Sequence, residues 1–179
     1  MFALIFDTEN EKQMAVRLYE KYSNFIFRSA YSILGDTNSA EDAAQQAFIK
    51  VAENLDKIDE ADEVKTRNYI GTITRNTARK MYNRLKKQPL ITEITFGHNN
   101  VRNISELIIT KETCDRIQKH ILELEPPYRE IIFLRLDSGL EYRQIARLLN
   151  ITPETARKRF ERARKQILKL LLEEDNKNA

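Results

Sequence analysis

At 179 residues, with 41% hydrophobic and 32% charged side chains, the chain suffices for one ordinary domain or two small ones and is too apolar to be disordered. Four Gly, four Pro and no Trp lean towards helix, and a net charge of +3 is small enough that any affinity for nucleic acid must come from where the charges sit. A single cysteine, Cys114, excludes an internal disulfide framework and fits a reducing compartment, and it reads as a small packed thiol before a nucleophile.

The opening MFALIF is a short apolar run without a basic flank, followed at once by Asp7, Glu9 and Glu11, so it reads as neither signal peptide nor membrane span. The expectation is a cytoplasmic protein with no membrane insertion; whether this run packs on the first helix or on a partner stays open. From Glu9 to Leu34 the pattern is helical, with Leu18, Tyr22, Phe25, Ile26, Ala30, Ile33 and Leu34 on one broad face and Gly35 as the stop. Ser39-Ala40-Glu41-Asp42 reads as the capped start of a second helix, with Ala44, Phe48, Val51 and Leu55 inside. Glu41, Asp42, Gln45, Gln46 and Lys50 are left outside or at the edges, a face that by composition alone is a solvated surface.

Asp56 to Glu63, DKIDEADE, is an acidic loop too poor in apolar residues to be a core element. A third helix is expected from about Val64 to Lys87, buried along Tyr69, Ile70, Ile73, Thr77, Met81 and Leu85. Its far end carries Arg79, Lys80, Arg84, Lys86 and Lys87, and two readings stand. Cations at a helix C-terminus complement the helix dipole whatever the function. Together with Arg67, Arg75, Asn76, Tyr82 and Asn83 they also form the mixture that holds phosphates and stacks unpaired bases.

Between Gln88 and about Ile104, Pro, Gly, Asn and the β-branched LITEITF break the helical period, which suits an interdomain linker better than an isolated strand. His98 reads as an exposed turn residue, and no His, Cys or carboxylate cluster has metal-ligand spacing, so no metal and no cofactor are expected. Helical periodicity resumes from Ser105 to His120. Pro126 and Pro127 then open a largely apolar helix through Ile131, Phe133, Leu134 and Leu136 that stops at Asp137-Ser138-Gly139. Tyr142, Ile145, Ala146, Leu148 and Leu149 make a short amphipathic helix closed by Asn150, which tolerates the left-handed conformation. Thr152 caps a last helix with Pro153 as its first residue.

That last helix buries Ala156, Phe160, Ala163, Ile167 and Leu170, and turns Glu154, Thr155, Lys158, Arg162 and Lys165 outward, with Arg157, Arg159 and Arg164 on the flanks. Helix, tight turn, helix is a helix-turn-helix. An Arg/Lys-rich face is often only solvated, but the turn chemistry, the small Ala146 and Ala156 at the helix approach, and the near absence of acids from Arg157 to Lys169 favour a DNA reader. No nucleophile with a base, no carboxylate pair and no phosphate-cradling glycine loop occurs, so the chain is not expected to be an enzyme. The fold class expected is all-α, two small helical domains joined by a linker.

Two blocks in order then carry a family resemblance. The first is LYEKYSNFIFRSAYSILGDTNSAEDAAQQAFIKVAENLDKI followed by NYIGTITRN; the second is LEPPYREIIFLRLDSGLEYRQIARLLNITPETARKRFERARKQILKLL. From about Arg17 to Glu174 the chain resembles a bacterial RNA polymerase sigma factor of the extracytoplasmic-function group, the small sigma-70 type with only regions 2 and 4. The resemblance implies residues 1–88 as region 2, 89–112 as linker and 113–179 as the helix-turn-helix of region 4. It implies an alternative sigma factor that binds core RNA polymerase and directs promoter recognition, melting and transcription initiation, commonly under the control of an anti-sigma factor. Asp42, Gln45 and Gln46 would meet the polymerase clamp helices. Arg67, Arg75, Asn76, Arg79, Lys80 and Asn83 would engage the minus-ten element, with an unstacked non-template base taken up near the acidic loop. Thr152, Glu154, Thr155, Arg157, Lys158, Arg159 and Arg162 would read the minus-thirty-five element. The chain departs from the family pattern at Tyr69 (usually Trp), Lys80 (usually Asp), Asn150 (usually Gly) and Ala156 (usually Val or Ile). On the residues alone, a stand-alone helix-turn-helix regulator and a polymerase-binding protein that ignores promoter DNA are the alternatives.

Overall fold

The computed structural model describes residues 8–86 and 111–178, and every regular element among them is helical. MFALIF, Lys87, LITEITF, His98, residues 105–110 and the expected linker up to residue 110 lie outside the described residues. The chain divides into two compact units, Met1–Gly97 and His98–Ala179.

The first unit is a bundle of α1 (Glu9–Leu34), α2 (Thr37–Ala52) and α3 (Glu63–Lys86), each packed on the other two, with a 3-10 turn at Leu55–Lys57. Thr8 and Glu11 form a reciprocal capping box: the Thr8 hydroxyl accepts from the Glu11 N–H at 3.2 Å, and the Thr8 N–H donates to Glu11 Oε2 at 3.0 Å. Gly35, at φ 74°, ends α1 in a left-handed conformation that its missing Cβ makes cheap. The cap of α2 is not Ser39 but Asp36, whose carboxylate accepts from the Ser39 N–H at 2.7 Å. Asp36 satisfies the N3 amide of a helix that starts one turn earlier than a Ser39 cap would set it, so the helix begins at Thr37.

Leu18, Tyr22, Ile26, Phe48, Val51 and Ile70 form the main core of this unit, and Ala30, Ile33, Ala40, Ala43, Ala78 and Met81 a second cluster. Burial of side chains such as Ile26, Ile33 and Ile70 stabilises by on the order of 2 kcal/mol each. The acidic loop contributes too, contrary to its composition: Ile58 is buried in the main cluster. On α3 the buried stripe holds Thr66, Ile70, Gly71, Thr74, Thr77, Ala78 and Met81, while Tyr69, Ile73 and Leu85 are half-buried. The threonines enter because their hydroxyls find partners. Thr66 donates to the Asp59 carbonyl at 2.7 Å, Thr74 to the Ile70 carbonyl at 2.9 Å, and Thr77 accepts from Lys50 Nζ at 2.9 Å.

The second unit comprises α4 (Lys111–Glu123), α5 (Pro126–Ile132), α6 (Tyr142–Leu149) and α7 (Pro153–Asn178), with α4, α5 and α6 all packed on α7. Its core joins Ile131, Leu134, Ile145, Leu149, Ala156, Phe160 and Ala163. The apolar helix after the two prolines widens into a π turn at Phe133–Asp137, where the Ser138 N–H reaches the Phe133 carbonyl at 3.0 Å. The extra residue in that turn carries Leu136 outward, leaving it 51% exposed where the helical period places it inside. Arg135 locks the corner: it donates to the Leu140 carbonyl at 3.0 Å and lies 4.9 Å from the Tyr142 ring centroid, and Tyr142 meets Phe160 edge to face. Asn150 closes α6 at φ 54°, ψ 51°, as its chemistry predicts.

Candidate nucleic-acid interface

The turn from α6 to α7 sets the outward face of α7. Thr152 caps it, its hydroxyl accepting from the Thr155 N–H at 3.1 Å and lying 2.8 Å from the Thr155 hydroxyl. Ala156 and Ala163, both fully buried, let α7 approach its neighbours closely and so hold its register. With that side inside, Thr152, Glu154, Thr155, Arg157, Lys158 and Arg162 are exposed and Arg159 is half-buried.

The structure brings four of these together. Thr155, Lys158, Arg159 and Arg162 line a shallow pocket of about 450 Å³ whose other wall is Glu125, Pro127 and Tyr128 at the start of α5. Glu154 is spent partly on Lys158, 2.7 Å away along the helix, and Arg157 is not among the lining residues. Three cations, a hydroxyl and a phenol share one concave surface with the Glu125 carboxylate, an arrangement rich in hydrogen-bond donors, with the exposed first turn of α7 beside it. Tyr128 and Glu125 are residues that sequence reasoning did not select. The signal for them was the Pro-Pro-Tyr start of α5, which is informative only once α5 is known to pack on α7.

In the first unit Asp42, Gln45 and Gln46 are exposed together on the outer face of α2, at helical spacing. On α3, Arg75, Asn76, Arg79 and Asn83 share the face opposite the buried stripe; Asn76 and Asn83 are exposed, Arg75 and Arg79 half-buried, and exposed Lys80 stands at the edge. Arg67 is not brought to that face. Its guanidinium sits 4.9 Å from the Phe25 ring centroid, turned towards α1.

Sequence reading also missed what holds the acidic loop. Arg17 of α1 forks onto Glu60, Nε to Oε1 at 3.1 Å and Nη2 to Oε2 at 2.7 Å, and Lys21, one turn on, lies 3.3 Å from Glu63. The hydrogen bond from Arg17 holds the Glu60 carboxyl below its ordinary range, and the same bond raises Arg17. No helix among the described residues is long and apolar enough to cross a membrane.

Residues 18–88 match the family model described as Sigma-70 region 2, and residues 114–167 the model described as Sigma-70, region 4. The chain is similar to the ECF RNA polymerase sigma factor SigW of Bacillus subtilis, 28% identical over 160 residues that cover 84% of each chain. It is similar to the ECF RNA polymerase sigma factor SigM of the same organism, 24% identical over 153 residues, 84% of this chain and 90% of the other. Among solved structures, the sigma factor RpoE from Bartonella quintana, in complex with the anti-sigma factor NepR, superposes with a TM-score of 0.65 at 21% identity, covering 92% of this chain and 98% of that one. CnrH in complex with the cytosolic domain of CnrY gives a TM-score of 0.59 at 19% identity, with 89% and 88% coverage. At those identities the structural likeness is one of fold.

Proposed function

The chain belongs to the sigma-70 family of RNA polymerase sigma factors, in its extracytoplasmic-function group, and from that membership we propose how its residues divide the work of an alternative sigma factor. It binds core RNA polymerase and directs promoter recognition, melting and initiation. Residues 1–88 act as region 2, 89–112 as the linker and 113–179 as region 4. Asp42, Gln45 and Gln46 dock on the polymerase. Arg75, Asn76, Arg79, Lys80 and Asn83 hold the minus-ten element, and the loop from Asp56 to Glu63 takes up a non-template base. Capture of that base offsets an unpairing cost of about a few kcal/mol. Arg67 joins this set through α1, by holding α3 against Phe25, and not as a DNA contact.

In the other unit, Thr155, Lys158, Arg159 and Arg162 grip the minus-thirty-five backbone, and Thr152, Glu154 and Arg157 complete the approach of α7 to the major groove. The convergence of those four residues beside Tyr128 carries the reading. Two modest DNA contacts on one tether reinforce each other through effective concentration, so the free protein reads promoters poorly. The polymerase owns the chemistry; the chain is not an enzyme, takes no cofactor and works in the cytoplasm. An anti-sigma factor is its proposed inhibitor, since both solved relatives named above were captured with a protein partner.

Run-off transcription with purified core polymerase on a pool of promoter fragments, with and without the protein, tests this. Starts that depend on its addition support it. A protein that drives no start yet retains duplex DNA alone at moderate salt is a conventional regulator instead.

A further inference from the structure

The acidic loop is built to a fixed shape although its composition argues against one. Asp59 accepts from the Ala61 N–H at 3.1 Å, Asp62 accepts from the Lys65 N–H at 2.9 Å and so caps α3, and Thr66 ties the Asp59 carbonyl from the next turn. Ile58 anchors one end in the core. Glu60 and Glu63 serve none of these local turns; they are engaged from outside, by Arg17 and Lys21, one helical turn apart on α1.

Five acids stand between Asp56 and Glu63. A loop that is to receive a base from a strand of phosphates must not repel that strand, and must present its backbone in one geometry before the base arrives. A forked guanidinium on Glu60 and an ammonium on Glu63 meet both needs. They cancel two of the five charges and fix the loop against α1 at two points, 43 residues away in sequence at the first. Ordinary exposed ion pairs add little to stability, so the physical use of this pair lies in placement.

The geometry points to Arg17 and Lys21 as positioning residues for strand separation: they hold and neutralise the Asp56–Glu63 loop so that a non-template base can enter it. This rests on the sigma reading of the same loop. Neither residue contacts DNA; both act through Glu60 and Glu63.

The test uses holoenzyme reconstituted from core polymerase with the full chain as wild type, Arg17→Glu, Glu60→Arg and the double exchange, on a promoter identified by run-off. The readouts are permanganate reactivity of the melted minus-ten region and, separately, competition for core. Each single reversal is expected to lower open-complex formation about fivefold by setting like charges together, with core affinity unchanged. The double exchange is expected to return it to near wild type, because the pair is remade with opposite polarity. Single variants that melt promoters normally, a double exchange that recovers nothing, or a loss of core affinity that accounts for the defect would each overturn the inference. A wild-type protein that supports no melting on any promoter fails the sigma reading itself. The outcomes are therefore distinct. Arg17 is 55% and Glu60 38% exposed, so the reversals leave the core intact.

Discussion

His120 and Glu174 meet across 54 residues of sequence, Nε2 to Oε2 at 3.0 Å, and fasten the far end of α7 to α4. The other ring nitrogen of this buried histidine lies 3.0 Å from Glu123 Oε2, and Arg116 Nε reaches the same Glu174 oxygen at 2.9 Å. Hydrogen bonds from Arg116 first and His120 second hold the Glu174 carboxyl below its ordinary range. A depressed carboxylate contributes stability that is present above its unfolded value, roughly pH 4.3, and is lost as pH falls through the lower folded one. Thermal melts from pH 7 down to about pH 3 are expected to show Glu174→Gln less stable than wild type at neutrality, with the gap closing over the acid range. A gap that does not change with pH would remove this role.

The α6–α7 corner depends on Asn150 and Ala156. Asn150→Val places a β-branched residue at φ 54° and is expected to cost about 1–2 kcal/mol, whereas Asn150→Gly stays within about 0.5 kcal/mol. Ala156→Leu overfills a fully buried site, at a cost of about 1–3 kcal/mol. Urea denaturation of the three variants checks the order.

On the outward side of the same helix, Lys158→Ala and Arg162→Ala are expected to weaken minus-thirty-five binding at every sequence alike. As phosphate contacts, each lowers the slope of log affinity against log salt by about 0.9. Salt titrations of holoenzyme on promoter duplexes measure that slope. If relaxed base preference appears with the slope unchanged, the two side chains read bases and not backbone.

Arg67 and Asn83 should behave differently although both lie on α3. Arg67→Ala removes the stack on Phe25 and is expected to cost about 0.5–1 kcal/mol of stability with little change in minus-ten affinity. Asn83→Ala, on the exposed face, is expected to leave stability within about 0.5 kcal/mol and weaken holoenzyme binding to a minus-ten single strand. Denaturation paired with strand-binding titrations separates the two, and a strand-binding loss from Arg67→Ala alone would return it to the DNA face.

Local chemistry made much of this molecule legible from residues alone. Gly35 stopping α1, Asn150 turning left-handed, Thr152 and Pro153 starting α7, and Ala156, Phe160, Ala163 and Ile167 facing inward all follow from interactions within a turn or two, or from helical periodicity. The exceptions are local choices between near-equal options. Asp36 takes the cap that Ser39 also suits, and threonines with hydrogen-bond partners enter the α3 stripe ahead of larger apolar neighbours.

The sequence by itself determined the helices, the caps at Gly35, Asn150 and Thr152, the helix-turn-helix and the cationic face of α7, because each is specified by residues close together in the chain. Only the tertiary structure decided which charges meet. Arg17 with Glu60, Arg116 with Glu174, Arg67 over Phe25, and Arg159 facing Tyr128 are set by how helices cross, and Leu136 is turned outward by a π turn that periodicity does not encode. A long charged side chain carries no pattern that names its partner. The packed backbone brings one within reach.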